Sequence, residues 1–180
     1  MLTTENYFID HILDSFQKEL GKDFDRYKNH AYRVYNFSLL LGGDRLDEPD
    51  KEKISIAAAF HDLAIWTHRT FDYLQPSADL ADAYLMDNGN PEWIAEVSTI
   101  IHQHHKITPY TGAYENMVEL FRKADWADVT LGLHAFGLKR EQLKQIQFLF
   151  PDLGFHAFLI RKSLENFVRN PLNPLPMFKK

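Results

Sequence analysis

Two histidines and two aspartates stand in apolar surroundings at three distant places in the chain. His30 lies in NHAYRVY, His61 and Asp62 in AAAFHDLAIW, and Asp125 in RKADWADV. Imidazole nitrogens coordinate a transition metal strongly, and two carboxylates neutralise a dication. The chemistry such a quartet suits is that of a bound divalent ion, which polarises an oxygen and activates water. The segment STIIHQHHKITPY adds His102, His104 and His105 between the second and third pieces.

Helices must position these groups, and the spacing predicts which way each faces. Over 25–41, Tyr27, His30, Val34, Phe37 and Leu41 recur every three or four residues, so His30 belongs to an apolar stripe. In the helix entered after Pro49-Asp50, Ile54, Ala57, Ala58 and His61 share one face, and the alanines admit a close neighbour. Over 114–131, Met117, Phe121, Asp125 and Asp128 line one side. An aspartate inside an apolar stripe is costly unless paired or metal-bound. Arg122, three residues before Asp125, is the competing ion-pair partner. Asp128 reads as an acceptor that orients a ligand histidine, or as a structural partner. His61 and Asp62 are adjacent and point about 100° apart on a regular helix. Both reach one ion only if it lies between that helix and its neighbours, or if the helix loosens there. Ile94, Val97 and Ile101 form a stripe that His104 and His105 extend, while His102 falls with Ala95 and Ser98 on the outer side.

The remaining chain is punctuated as a helical bundle. A first helix is expected over 4–20, from Thr3-Thr4-Glu5 to Gly21, and THRTFDYLQ reads as a loop. Further helices run from Pro76-Ser77 to about Gly89, from Pro91 to about His105, and over 138–149 and 152–169, with a loop at 106–113. The tail NPLNPLPMFKK, with three prolines in eleven residues, is an extended strap or disordered. Strand-like alternation and internal repeats are absent from the sequence. The expected fold is all-α: a single-domain bundle of seven or eight helices over 1–180, with C-terminal helices at 138–169 and a proline-rich tail at 170–180.

Bulk properties narrow the partners. At 180 residues and 45% hydrophobic content the chain buries a real core. A net charge of -5 gives no basic stripe, which argues against long nucleic acid but leaves small phosphorylated molecules open. The lack of cysteine excludes disulfides, thiolate zinc sites and cysteine nucleophiles. The acidic N-terminal segment is unlike a signal peptide, and the longest apolar run, from Ile56 to Phe60, cannot span a bilayer. These features predict a cytoplasmic protein with no membrane partner.

In order and loose spacing, His30, His61-Asp62 and Asp125 resemble the signature of the HD superfamily of metal-dependent phosphohydrolases, a resemblance that covers about 24–132. It implies an HD-domain-like bundle in which these four residues hold one divalent transition metal, whether Mn, Co, Ni, Fe or Zn. The run His104-His105-Lys106 is similar to the His-His pair of binuclear HD proteins, among them the HD-GYP cyclic dinucleotide phosphodiesterases and the di-iron HD oxygenases. Those families carry a further histidine where this chain has Ser77, and the GYP motif is replaced by ITPYTGAY. One tightly held ion is therefore expected. His104 and His105 would then bind phosphate, activate water or donate a proton, or ligate a weaker second ion. Arg69 and Lys106 are the nearest cations in sequence for phosphate contacts. HD nucleotidases often place an acid shortly after the His-Asp pair, where this chain reads Ala64-Ile65-Trp66. The implied function is hydrolysis of a nucleotide or other small phosphate ester. The alternatives are an HD-fold hydratase resembling cyanamide hydratase, a di-iron oxygenase, or a non-catalytic nucleotide-sensing module. The last helix offers Phe155, Phe158 and Phe167 either to a homodimer face or to the core.

Overall fold

Among the described residues there are ten α-helical segments and short 3-10 turns, and no strand. The computed structural model describes residues 2–178; Met1 of the N-terminal segment and the last two residues of the tail lie outside them. The helices are α1 (Tyr7–Ser15), α2 (Gln17–Leu20), α3 (Phe24–Gly42), α4 (Glu48–Phe60) and α5 (Ala64–Thr67). They continue with α6 (Leu74–Asp87), α7 (Ile94–Gln103), α8 (Glu115–Val129), α9 (Arg140–Leu149) and α10 (Phe155–Arg169). Eight of them have nine residues or more, so the fold is the all-α bundle the periodicity implies. No helix among the described residues is long and apolar enough to cross a membrane.

α3 is the hub, packed along α8 and flanked by α1 and α4, with the α6–α7 pair closing over α4. The predicted stripes account for this arrangement. Tyr27, His30, Val34 and Phe37 of α3, and Phe121, Asp125 and Asp128 of α8, are wholly buried. So are Ile54, Ala57 and Ala58 of α4, whose small side chains let its neighbours approach. One continuous apolar cluster runs through all the long helices. At about 25 cal/mol per Å² of apolar area removed from water, this burial is the term that holds the bundle together.

Several boundaries differ from the sequence reading, each for a local reason. α1 starts at Tyr7 because Asn6, rather than Thr3, caps it, its side chain accepting from the Ile9 N–H at 3.0 Å. Phe16 leaves helical geometry at φ -109°, splitting the expected 4–20 helix, and its ring packs edge-on against Phe60. α6 begins at Leu74, two residues before Pro76. The proline falls in the first turn, where its missing N–H has no partner to lose. The helix carrying His61 stops at Phe60, and α7 stops at Gln103, so both histidine motifs lie at helix C-termini. The tail is a packed strap that ends in a 3-10 turn, Pro176–Phe178, with Pro176 and Met177 buried. In α10, Phe155 and Phe158 belong to the core and not to an outer face: Phe155 stacks on His30 and Phe158 on Trp66. The outward row is Ile160, Leu164, Phe167 and Val168, all more than half exposed.

Candidate metal centre

The α3–α8 packing sets His30 against Asp125 and Asp128, and the end of α4 delivers His61 and Asp62 between them. Adjacent residues of a straight helix diverge, and the chain solves this by loosening. After Phe60 the Leu63 N–H bonds to Phe60 and the Ile65 N–H to Asp62, both at 3.0 Å, a tighter i→i-3 pattern. Tyr27 fixes this turn. Its hydroxyl donates to the Ala59 carbonyl at 2.9 Å and accepts from the Asp62 N–H at 3.2 Å. His104 and His105 enter from the end of α7.

The side chains converge. His30 Nε2 lies 2.9 Å from His61 Nε2, 3.8 Å from Asp62 Oδ2 and 3.6 Å from Asp125 Oδ1. His61 Nε2 lies 3.7 Å from Asp62 Oδ2 and 3.8 Å from Asp125 Oδ1. On the other side His104 Nε2 is 3.4 Å from Asp62 Oδ1, and His105 Nδ1 is 3.7 Å from Asp125 Oδ2. Two trios, His30/His61/Asp62 and Asp62/His104/His105, each bring their ligand atoms within 4.8 Å of one another and share Asp62. The walls are aromatic: Phe155 stacks on the His30 ring at 4.1 Å, and Phe121 meets the His61 ring edge-on at 5.5 Å.

Hydrogen bonds behind the rings fix where their lone pairs point. His30 Nδ1 lies 2.7 Å from Asp128 Oδ2 and donates to it. Burial alone would raise Asp128, but Arg33 and His30 outweigh it and hold the carboxyl below its usual range, so it only accepts. His61 Nδ1 faces the Ala58 carbonyl at 2.9 Å and His104 Nδ1 the Ile101 carbonyl at 2.7 Å, and carbonyls accept only. Each Nδ1 therefore carries the proton, and in His30 and His61 the Nε2 turns a lone pair inward. Burial keeps His30 neutral and pulls His61 down to about 3. Two lone pairs thus face each other across 2.9 Å. Asp62 Oδ1, His104 Nε2 and both Asp125 oxygens are buried with no hydrogen-bond partner. Such a set is short of donors, and a cation placed among its acceptors would complete it. The residues present fit a divalent ion.

The carboxylates carry the same imbalance. Burial raises Asp125 to about 8, and the Asp62 charge beside it pushes the same way against the pull of His104. Asp62 is driven well below its usual range: burial opposes this, but His61, His104 and His105 outweigh it. Burial lowers His104 too, yet the carboxylates of Asp62 and Asp125 more than compensate and raise it. An ion that needs Asp125 as a carboxylate must displace its proton below about pH 8. Apparent metal affinity is therefore expected to weaken by up to about tenfold per pH unit on acidification from pH 8, and to level off above it. Chelator competition at several pH values measures this; an affinity constant between pH 6 and 8 would contradict it.

The four predicted ligands are thus brought together, with His104 and His105 beside them. Arg122, the competing partner for Asp125, is occupied elsewhere, forking onto Glu119 at 2.5 and 3.0 Å. Asp128 takes the orienting position and is itself clamped by Arg33, Nε to Oδ1 at 2.6 Å and Nη2 to Oδ2 at 2.9 Å. Ser77 is buried and accepts from the Ala64 N–H at 3.2 Å, so it serves helix packing. Lys106 engages through its backbone, its carbonyl accepting from Arg122 at 3.0 Å. Arg69 is exposed and lines a separate cavity. Sequence reasoning missed Tyr27, Arg33 and Tyr73, whose hydroxyl meets His105 Nε2 at 2.6 Å. A cavity of about 900 Å³ between the end of α3 and the loop before α8 does not include the cluster. Compared with family models, curated proteins and solved structures, the chain matches none.

Proposed function

We propose that the chain is a metal-dependent phosphohydrolase of the HD type, acting on a nucleotide or another small phosphate ester. The observation that carries this reading is the pair of inward lone pairs, His30 Nε2 and His61 Nε2 at 2.9 Å, set among the unpartnered oxygens of Asp62 and Asp125. His30, His61, Asp62 and Asp125 would hold the ion, and His104 completes a second trio through Asp62. A divalent ion bound there supplies Lewis acidity toward a phosphoryl oxygen and lowers the pKa of a coordinated water.

The chain's own groups divide the remaining work. His105 is the ring nearest solvent, 12% exposed where the other ligand side chains are at 2% or less. Burial and the neighbouring His104 lower it well below its usual range, so it is neutral. With Tyr73 on one nitrogen and Asp125 near the other, a neutral His105 would serve as a base, taking the proton of an attacking water before returning it to a leaving oxygen. Phe178 of the tail lies 5.5 Å from the His105 ring and covers this side of the cluster.

A second reading has its own support. The ligands are so completely buried that a module which holds an ion and senses a nucleotide without turnover fits the same geometry. A screen of nucleotides and phosphate esters with added Mn or Co separates the two. Wild-type protein is expected to release phosphate, and His61→Ala to lose that activity. Release that survives in His61→Ala would come from a contaminant. No release with any metal would favour the sensing module, or the hydratase alternative.

A further inference from the structure

The strap and α10 enclose a second cavity of about 370 Å³, walled by Ile65, Phe71 and Pro176. Three cations line it: Arg69 from the loop after α5, and Lys162 and Arg169 from α10. Glu165 on the same wall is engaged by Arg161 at 3.7 Å and Lys162 at 3.5 Å. Neither Arg69 nor Arg169 makes an ion pair or side-chain hydrogen bond to a described residue. A cation in the last turn of a helix is ordinary. Against two guanidiniums and a lysine on this concave wall stand two acids, Asp72 and Glu165, so in a chain of net charge -5 the lining carries a local cationic excess.

The rim of this cavity is built in advance. Asn170 Nδ2 donates to Asn166 Oδ1 at 2.8 Å, and Asn166 Nδ2 donates to the Pro174 carbonyl at 2.7 Å, tying the strap to α10. Its walls continue into those of the metal centre. The Phe71 ring lies 6.0 Å from that of Tyr73, which bonds His105. Pro176 precedes by two residues Phe178, the ring over His105. At the small end of the range for ligand pockets, the cavity suits a phosphate or diphosphate group and not a large molecule.

We infer that this cavity is an anion-binding site in which Arg69, Arg169 and Lys162 hold a phosphate or diphosphate group beside the metal centre. Guanidinium pairs recognise such groups through forked, charge-assisted hydrogen bonds. Its role as a substrate anchor rests on the hydrolytic reading; its ability to bind an anion does not.

The test is calorimetric titration of inorganic pyrophosphate into the Asp62→Ala protein under chelator, so that no ion at the metal centre can hold the probe. The same titration is made after adding Arg69→Gln and Arg169→Gln. Binding is expected in the first protein and weakened at least tenfold in the second. Arg69→Lys with Arg169→Lys, which keeps the charge, is expected to fall between them. No pyrophosphate binding, or equal binding in the Gln variant, would overturn the inference. The two proposals fail separately. Pyrophosphate binding that the Gln substitutions weaken, in a chain whose wild type hydrolyses no phosphate ester, keeps the anion site and removes the hydrolase. Phosphate esters hydrolysed with unchanged KM by Arg69→Gln/Arg169→Gln keep the hydrolase and remove the cavity's role as substrate anchor.

Discussion

Arg33→Met is expected to destabilise the protein by about 3–5 kcal/mol, the usual result of removing one partner from a buried ion pair. Arg33 is the largest fully buried side chain, and its guanidinium makes two hydrogen bonds to Asp128 and one to the Phe150 carbonyl at 3.1 Å. It therefore joins three parts of the fold: α3, α8 and the end of α9. Methionine matches its length but leaves Asp128 charged and buried with only His30 beside it. A domain is stable by roughly 5–15 kcal/mol, so the loss is a large part of the total. Denaturant titration of both proteins gives the difference. A loss under about 1 kcal/mol would mean that the Arg33–Asp128 clamp does not hold the site.

Asp62→Ala is expected to lose bound metal while remaining helical. Asp62 is the only residue common to both ligand trios, and it lies between His30, His61 and His104 at 3.4–3.8 Å. Changing groups that merely orient ligands typically costs 10–100-fold in metal affinity, and loss of a shared carboxylate should exceed that. The fold has little reason to suffer. The carboxylate makes no side-chain hydrogen bond through Oδ1, and the turn that carries it is held by backbone bonds and the Tyr27 hydroxyl, which alanine leaves in place.

Much of this site was readable in one dimension because each ligand shares a stripe with apolar residues of its own helix. His30 follows Tyr27 by three residues and precedes Val34 by four, and Asp125 lies four after Phe121; that spacing alone turns them inward. The orienting role of Asp128 came from the same register. What periodicity misses is the partner supplied from elsewhere. Tyr27 looked like any core aromatic, and its hydroxyl matters only because Ala59 and Asp62, 32 and 35 residues on, fold against it. Arg33 gave no signal because a cation on a helix is ordinarily solvated, and only the distant Asp128 explains its burial. The break after Phe60 was likewise hidden. AAAFHDLAIW contains no glycine or proline, and the turn follows from the demand that adjacent His61 and Asp62 face one point. In α10, Phe155 and Phe158 could be assigned to core or surface only once His30 and Trp66 were seen to lie beneath them.

The central claim is that this buried cluster exists to hold a cation, and its most direct test is metal content. Wild-type protein and Asp62→Ala, purified without chelators or metal-affinity resin, would be compared by elemental mass spectrometry on the same day. The wild type is expected to carry at least one equivalent of a transition metal, and the variant far less, with unchanged helical circular dichroism. Wild-type protein that holds no metal and takes none up from Mn, Co, Ni, Fe or Zn would contradict the account, as would an Asp62→Ala variant that keeps its full complement.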